Sequence, residues 1–545
     1  MTVDIITKDQ NSLWWKGATI YQIYPRSYCD ANQDGMGDLA GITSKLGYIA
    51  SLGVDAIWIS PFFTSPMKDF GYDISNYRDV DPTFGSLDDF RALLNTAHAL
   101  NLKVIIDQVY SHTSDQHAWF TESRQDRTNP KADWYVWADP KADGTPPNNW
   151  LSLFGGKAWS WDSRREQYYL HNFLDSQPDL NFHNPQVREA QLENARFWLD
   201  MGVDGFRLDV VNFYYHSKGL EDNPATPTDE PKTLAVSSDN PYCLQRHRYD
   251  ISQPENLEFL RDLRNVLNDY PNTTTVGEIS ADDPLVIMSQ YTSGNDKLHM
   301  AYTFDLLKEH CSADYIRGVI STIEERIGDG WPCWAISNHD VMRYTTRWGN
   351  NEGLHFSRVA VAMLMSLRGS VCLYQGDELG LPEADVPYDD IQDPYGLPFW
   401  PKYKGRDGCR TPMVWSDSEN GGFSEVKPWL PVDKRHLALS VDQQENQLES
   451  TLNSIRQLIA WRKGQPALIN GEIEILSDEG EMLLWTRTCA EQKLLVALNM
   501  TGDTLRSPLT VGIKSLLTGH GFHGSIEDET IVLGPYEALF AEISD

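Results

Sequence analysis

The chain reads as an α/β protein. It is predicted to be a (β/α)8 TIM barrel, with an inserted subdomain after the third strand and a C-terminal antiparallel β domain. Three observations lead there. Short apolar segments rich in β-branched and aromatic residues alternate with helix-like stretches from Ala18 to Tyr374, the pattern of a parallel sheet with helical crossovers. Eight such segments suit a closed barrel better than an open doubly wound sheet. No G-x-G-x-x-G follows the first of them, which weakens a dinucleotide-binding alternative.

Taken in order, the segments are Ala18–Tyr24, Ala56–Ser60, Val104–Asp107, Val203–Asp209, Thr274–Glu278, Ala301–Phe304, Cys333–Ser337 and Val371–Tyr374. Helical patterns at Ile42–Leu52 and Leu87–Leu100 supply the first crossovers, and a helix over Val187–Met201 closes on Gly202, a helix-stop signal. Between the third and fourth strands, Ser111–His183 is rich in Trp, Asn, Asp, Pro and Gly. That stretch is too long for an ordinary connection and is expected to form a small subdomain over the barrel mouth. Further long loops span Asn212–Gln253 and Pro382–Trp415. After a helix-like Leu452–Arg462, the segments EIEILS, MLLWTRT, KLLVALN and TIVLG alternate as β, predicting an antiparallel sandwich domain. The expected division is 1–110 and 184–466 for the barrel, 111–183 for the insert and 467–545 for the β domain.

At 545 residues the chain is too long for one core. Its 46 Lys and Arg against 78 Asp and Glu leave a net charge of −32, which argues against nucleic acid and anionic membranes as partners. Seven cysteines without CxxC spacing indicate reduced thiols in a cytoplasmic protein. Met1–Gln10 is polar, and no apolar run approaches membrane-spanning length.

The most informative stretch is Gly205–Asp209, GFRLD. A strand buried on both faces should be nearly all apolar. This one carries Arg207 and Asp209 two apart, so both project from one face. Opposite charges there are costly unless paired or used. The plain reading is a structural ion pair; the functional one is an active-site carboxylate beside an arginine. In a barrel of this class chemistry gathers where strands end at their C-terminal side, and those ends carry Asp107, Arg207, Asp209, Glu278, His339 and Asp340. Three carboxylates, Asp209, Glu278 and Asp340, would converge on one mouth. Crowded like charges raise at least one pKa, which separates a nucleophile from a proton donor as glycoside hydrolysis needs.

Seven ordered motifs sharpen this: IYQIYPRSYCD (20–30), DQVYSH (107–112), QPDLN (177–181), GFRLDVVN (205–212), VGEIS (276–280), SNHD (337–340) and CRTPMVW (409–415). Over nearly its whole length the chain resembles the α-amylase family of glycoside hydrolases, in its bacterial α-glucosidase and oligo-1,6-glucosidase branch. The resemblance implies a retaining mechanism. Asp209 would be the nucleophile, Glu278 the acid and then the base, and Asp340 a stabiliser that binds the sugar hydroxyls. Arg207 would keep Asp209 ionised. His112 and His339 would donate to the glucose. Asp69 and Arg410 would grip its far edge and Tyr72 would stack on its face, closing the pocket to all but chain ends. Phe154 and Phe173 would line the pocket from the insert. Sucrose isomerases of the family carry a charged aromatic-Arg loop after the acid residue, which is not seen here. Substrates would be short α-glucosides, maltose-type or sucrose, with sugars or alcohols as acceptors. The resemblance does not decide between a monomer and a homodimer.

Two features remain. The loop DANQDGMGD (30–38) offers side-chain oxygens at Asp30, Asn32, Asp34 and Asp38 and a carbonyl at Met36, hard ligands that suit a structural Ca²⁺ or Mg²⁺. Gly stands at the twelfth position where an EF-hand needs Glu, and no organic cofactor is indicated. After the nucleophile comes Val210. In related enzymes Val here goes with cleavage of α-1,6 links, whereas the loops around NNWLSLFGGKAW and CRTPMVW resemble those of α-1,4-acting, glucosyl-transferring relatives.

Overall fold

The computed structural model describes residues 13–227, 236, 240–349, 353–477 and 479–544. The polar Met1–Gln10 and residues 228–235 of the long loop after the fourth strand lie outside them. Eight parallel strands form one sheet among the described residues: β1 (Thr19–Ile23), β2 (Ala56–Ile59), β3 (Lys103–Gln108), β4 (Gly205–Leu208), β5 (Thr274–Ile279), β6 (Met300–Thr303), β7 (Cys333–Ala335) and β8 (Ser370–Tyr374). Their order is β6-β5-β4-β3-β2-β1-β8-β7. A bridge from Ala301 of β6 to Pro332, just before β7, brings the edges together and nearly closes the barrel. Each strand overlaps the segment predicted for it. A crossover helix follows each strand: α1 (Leu39–Ser51), α2 (Leu87–Ala99), α3 (Pro185–Met201), α4 (Asn256–Asn268), α5 (Pro284–Thr292), α6 (Ala313–Ile327), α7 (Gly353–Ser366) and α8 (Thr451–Lys463).

Local chemistry explains the helix limits. Ser86 and Asp89 form a reciprocal capping box at the start of α2. Asn184 caps α3, Pro185 opens it, and Gly202 ends it with φ 104°, a left-handed conformation that glycine adopts without steric cost. The apolar faces of the helices and the outward side chains of the strands make the main core. A second, smaller core fills the barrel axis with Ile20, Trp58, Ile105, Val276, Met300, Tyr302, Cys333 and Cys372.

Between β3 and α3 lies a three-stranded antiparallel sheet of Trp137–Ala138, Gln167–Leu170 and Trp159–Asp162, packed on Val136, Trp150 and Leu170. The loop after β4 is tied to it: Asn149 N donates to Asp222 Oδ1 at 2.9 Å, and Trp150 Nε1 to the Glu221 carbonyl at 2.9 Å. Beyond α8, a five-stranded and a three-stranded antiparallel sheet enclose Leu484, Leu495, Ile531, Leu533 and Leu539. None of the seven cysteines is in a disulfide. Among the described residues no helix is long and apolar enough to cross a membrane.

Register decides which polar side chains meet. On β4 Gly205 pairs with Ile105 of β3 and Thr274 of β5, which sets Arg207 directly beside Asp107. A Cβ at Gly205 would lie 2.4 Å from the Thr274 carbonyl oxygen, so only glycine lets β4 sit this close. Gly205→Ala is therefore expected to destabilise the protein by about 1–3 kcal/mol through forced strand displacement, read as a lower denaturation midpoint; an unchanged midpoint would show that the neighbouring strand yields freely.

Candidate active site

The C-terminal ends of β3, β4, β5 and β7 deliver the carboxylates. Arg207 is fully buried and stands among three of them. Its Nη1 donates to Asp209 Oδ1 at 2.6 Å and to Asp107 Oδ1 at 2.9 Å, and its Nη2 meets Glu278 Oε1 at 2.6 Å. Asp209 and Glu278 thus straddle a single guanidinium. On β5 Glu278 is in register with Tyr302 of β6, and the Tyr302 hydroxyl donates to Glu278 Oε1 at 2.8 Å. The other carboxyl oxygen accepts the backbone N–H of Val210 at 3.1 Å. Val210 has φ 32° and ψ 55°, a left-handed conformation that a β-branched residue rarely adopts. Strain of this kind persists where surrounding structure enforces it and gathers at functional sites.

Three carboxylates around one cation are not neutralised. Burial, with repulsion from Glu278 and Asp107, raises Asp209 well above the usual carboxylate range and outweighs the attraction of Arg207. Burial likewise pushes Asp107 up to about 6. Arg207 bonds Asp209 as expected, but its charge is divided among three partners, so it does not hold the Asp209 pKa in the usual range. Arg207 itself stays firmly protonated, since the carboxylates outweigh the cost of burying it.

Asp340 behaves in the opposite way. Burial would raise it, but the His339 ring and the Arg410 and Arg406 guanidiniums hold it below the ordinary range. Arg410 Nη2 donates to its Oδ1 at 2.7 Å, and Arg406 Nη1 lies 3.3 Å from the same oxygen. Asp69 and Arg410, expected to grip the glucose edge together, do not both line the cavity: Arg406 stands beside Asp69 and Arg410 lies deeper. Arg406 donates to Asp69 Oδ1 at 2.9 Å and to Asp393 Oδ1 at 2.7 Å. Arg410 is fully buried below the pocket, donating to the His339 carbonyl at 2.6 Å. The reason is reach: the two arginines lie on successive turns of one short segment that ends in a helix at Asp407–Arg410, and the one nearer the mouth meets Asp69.

These groups surround a cavity of about 100 Å³ lined by Asp69, Tyr72, His112, Phe154, Phe173, Asp209, Val210, Glu278, Asp340 and Arg406, with Leu153, Ser280, Phe304, Val341, Tyr395 and Tyr403. Asp69, Tyr72, His112, Asp209, Glu278 and Arg406 are buried; Asp340, Leu153, Phe154, Phe304, Val341 and Tyr403 are half-buried. The site is therefore a polar floor under an apolar rim. His112 lines it, hydrogen-bonded to the Tyr72 carbonyl at 3.0 Å, and burial drops its pKa to about 4. Phe173 packs against His112 and Phe154. His339 does not reach the cavity. It is fully buried, with Nδ1 2.8 Å from Gln22 Nε2 and Nε2 2.6 Å from the Tyr72 hydroxyl. It stacks on Tyr72 at 5.3 Å and 5°, and its Nε2 lies 3.2 Å from Asp340 Oδ2, so it braces two residues of the pocket. Tyr72 keeps its other face for the pocket.

Arg406, Asp393, Tyr302, Tyr395 and Tyr403 were not picked out from sequence. Arg406 had a signal, as the first of two arginines in GRDGCR; the tyrosines had none, because only the folded loops bring them to the rim.

The 30–38 loop folds on itself. Asp30 accepts from Gln33 N at 2.7 Å, Gly35 N at 2.8 Å and Ser424 Oγ at 2.6 Å. Asn32 accepts from Asp34 N, and Asp34 from Met36 N. Asp38 accepts from Ala31 N and Asn32 N and caps α1 through Gly41 N. Among the described residues no group of three or more Asp, Glu, His or Cys side chains is placed to hold a metal ion: the loop's own amides occupy the carboxylates. The residue types would suit a hard cation, but Asp30 Oδ2 and Asp38 Oδ2 each already accept two hydrogen bonds.

Comparison with known proteins agrees with this geometry. The family model described as alpha amylase, catalytic domain, matches residues 22–471. The chain belongs to the α-amylase family and is a glycoside hydrolase. It is 52% identical over 535 residues, 97% of each chain, to a Rhizobium meliloti protein named "Probable alpha-glucosidase". It is 37% identical to an oligo-1,6-glucosidase of Heyndrickxia coagulans, over 90% of this chain and 93% of that one. Among solved structures it matches an alpha-glucosyl transfer enzyme, XgtA, with TM-score 0.97 and 55% identity, covering 98% of this chain and 100% of that one. It matches the trehalulose synthase MutB of Pseudomonas mesoacidophila with TM-score 0.89 and 32% identity, covering 98% and 100%.

The charge crowding carries a test. An unpaired aspartate titrates near 3.9. Because the Asp209 pKa is raised, the acidic limb of kcat/KM is expected above that value. Asp107→Asn removes one repelling charge and frees Arg207, so the limb should move to lower pH. A folded variant with an unmoved limb would show that the three carboxylates titrate independently.

Proposed function

We propose that the protein is an exo-acting, retaining α-glucosidase that releases glucose from the non-reducing end of short α-glucosides, maltose-type and sucrose included. The single observation that carries this reading is the pair Asp209 and Glu278 on one guanidinium. A retaining enzyme needs its two carboxyls only about 5–5.5 Å apart, whereas an inverting one leaves room for water between them. Asp209, in the family's GFRLDVVN motif, attacks the anomeric carbon, and Glu278 protonates the departing oxygen. Glu278 then takes the proton from incoming water or from a sugar or alcohol acceptor, so transfer accompanies hydrolysis. The chemistry requires a proton on Glu278 and the charge on Asp209. Asp340, held ionised by its arginines, stabilises positive charge on the ring. Asp69 with Arg406 blocks the inner end, which supports action at chain ends.

Val210 favours a second reading, an oligo-1,6-glucosidase. It lines the cavity beside both carboxylates, where a branched side chain touches the leaving group, and several relatives carry that name. The cation proposed for Asp30, Asn32, Asp34, the Met36 carbonyl and Asp38 is structural, since the loop lies outside the cavity and braces the start of α1 and the Ser424 strand of chain. A cytoplasmic location fits seven cysteines without a disulfide.

Release of p-nitrophenol from its α-glucoside is expected in the wild type and to fall by about 10³-fold or more in Asp209→Asn and Glu278→Gln, the loss expected when a nucleophile or proton donor is removed. Full activity in either variant would end these role assignments. Faster turnover of maltose than of isomaltose is expected; the reverse preference would establish the second reading. Metal chelation is expected to lower the melting temperature more than the turnover number, and unchanged stability after verified metal removal would count against a structural ion.

A further inference from the structure

Asn240 is nearly fully buried and does not line the cavity, yet one side chain ties three loops together at the cavity rim. Its Nδ2 donates to the Leu153 carbonyl of the insert at 2.7 Å and to the Tyr395 hydroxyl of the loop after β8 at 3.0 Å. Its Oδ1 accepts from Tyr242 N of its own loop at 3.0 Å. Tyr395 is thereby held at both ends, because its backbone N–H donates to Asp393 Oδ1 at 3.1 Å, and Asp393 is the partner of Arg406. The held ring stacks on Phe154 at 4.9 Å and 18°. Arg406 covers Phe154 at 5.0 Å. A chain of contacts thus runs from Asn240 through Tyr395 and Phe154 to the arginine that pairs with Asp69 and Asp340.

The rim is the half of the cavity that a leaving group or an incoming acceptor must occupy, since the buried polar floor holds the glucose that is transferred. In the second half of the reaction an acceptor hydroxyl attacks the anomeric carbon. The bond to Asp209 breaks, its electrons return to that carboxylate, and the acceptor proton passes to Glu278. Water needs no wall for this step. A sugar acceptor does, because it gains from an aromatic face at fixed position and loses when that face must be ordered on binding. We propose that Asn240 is a positioning residue for acceptor choice: by fixing the Tyr395–Phe154 wall it favours transfer to a sugar over transfer to water. The inference rests on the glucosyl-transferring reading above and assigns to it a residue with no contact to substrate.

The experiment compares wild type, Asn240→Ala and Tyr395→Phe with p-nitrophenyl α-glucoside as donor and maltose as acceptor. Wild-type activity is read first, and its absence would overturn both the functional reading and this inference. In an active wild type, Asn240→Ala is expected to raise the half-saturating acceptor concentration and lower the ratio of transfer product to free glucose by about five-fold each, the size of one lost neutral hydrogen bond. Its kcat for hydrolysis without acceptor should stay within about two-fold. Tyr395→Phe keeps the ring and both other Asn240 bonds; it should reproduce the shift, and the double variant should add nothing. An unchanged ratio in Tyr395→Phe overturns the proposal while leaving the glucosidase reading intact, and so does a parallel fall of kcat, acceptor use and melting temperature in Asn240→Ala.

Discussion

The site depends on one guanidinium that is asked to serve three carboxylates. Arg207 lies at the barrel axis, out of water, and Asp107, Asp209 and Glu278 are all within hydrogen-bonding distance of it. In low dielectric a buried ion pair is worth having only when its remaining valences are met. Here they are met by crowding more anions around the cation, and burial together with mutual repulsion raises the pKa values of Asp107 and Asp209. That is poor design for stability and good design for acid–base chemistry, since protons held near neutrality are the ones an active site can move.

The surroundings divide the carboxylates by environment. Asp107, Asp209 and Glu278 share one cation, whereas Asp340 has the Arg410 and Arg406 guanidiniums and the His339 ring. The same residue type thus has its pKa raised at one wall of the pocket and lowered at the other. Neighbours within hydrogen-bonding distance, each supplied by a different strand end or loop, make that difference. His339 stands next to Asp340 in SNHD; its ring stacks on Tyr72 and lies 3.2 Å from Asp340.

The loops do for the rim what the strands do for the floor. Strand register is rigid, because slipping one residue would turn every side chain to the other face, so Arg207 meets Asp107 and Glu278 meets Tyr302 by backbone pairing alone. No such rule aligns the loops after β3, β4 and β8. Side chains such as Asn240, Asp393 and Arg406 hold them, each bonding across segments distant in sequence. A floor set by hydrogen-bonded strands beneath a rim set by side-chain ties is consistent with relatives of similar fold named as an alpha-glucosidase, an alpha-glucosyl transfer enzyme and a trehalulose synthase.

The barrel was legible in the sequence because its signals are local. Alternation of apolar runs with helices, caps such as Ser86 and Asn184, and the stop at Gly202 depend on residues a few positions apart. The polar residues at strand ends were legible for the same reason: a charge in an apolar strand is conspicuous wherever it occurs. Asp209, Glu278 and Asp340 could thus be singled out with no knowledge of their distances. The sequence did not disclose which arginine would reach Asp69, that His339 would turn away, or that Tyr395 and Phe154 would form one wall. Those depend on where loops of very different lengths cross above the barrel and on which of several similar partners lies nearer. Nor did composition reveal the direction of the Asp209 pKa. That direction belongs to a cluster of charges excluded from water, and a buried cluster exists only once the chain is closed.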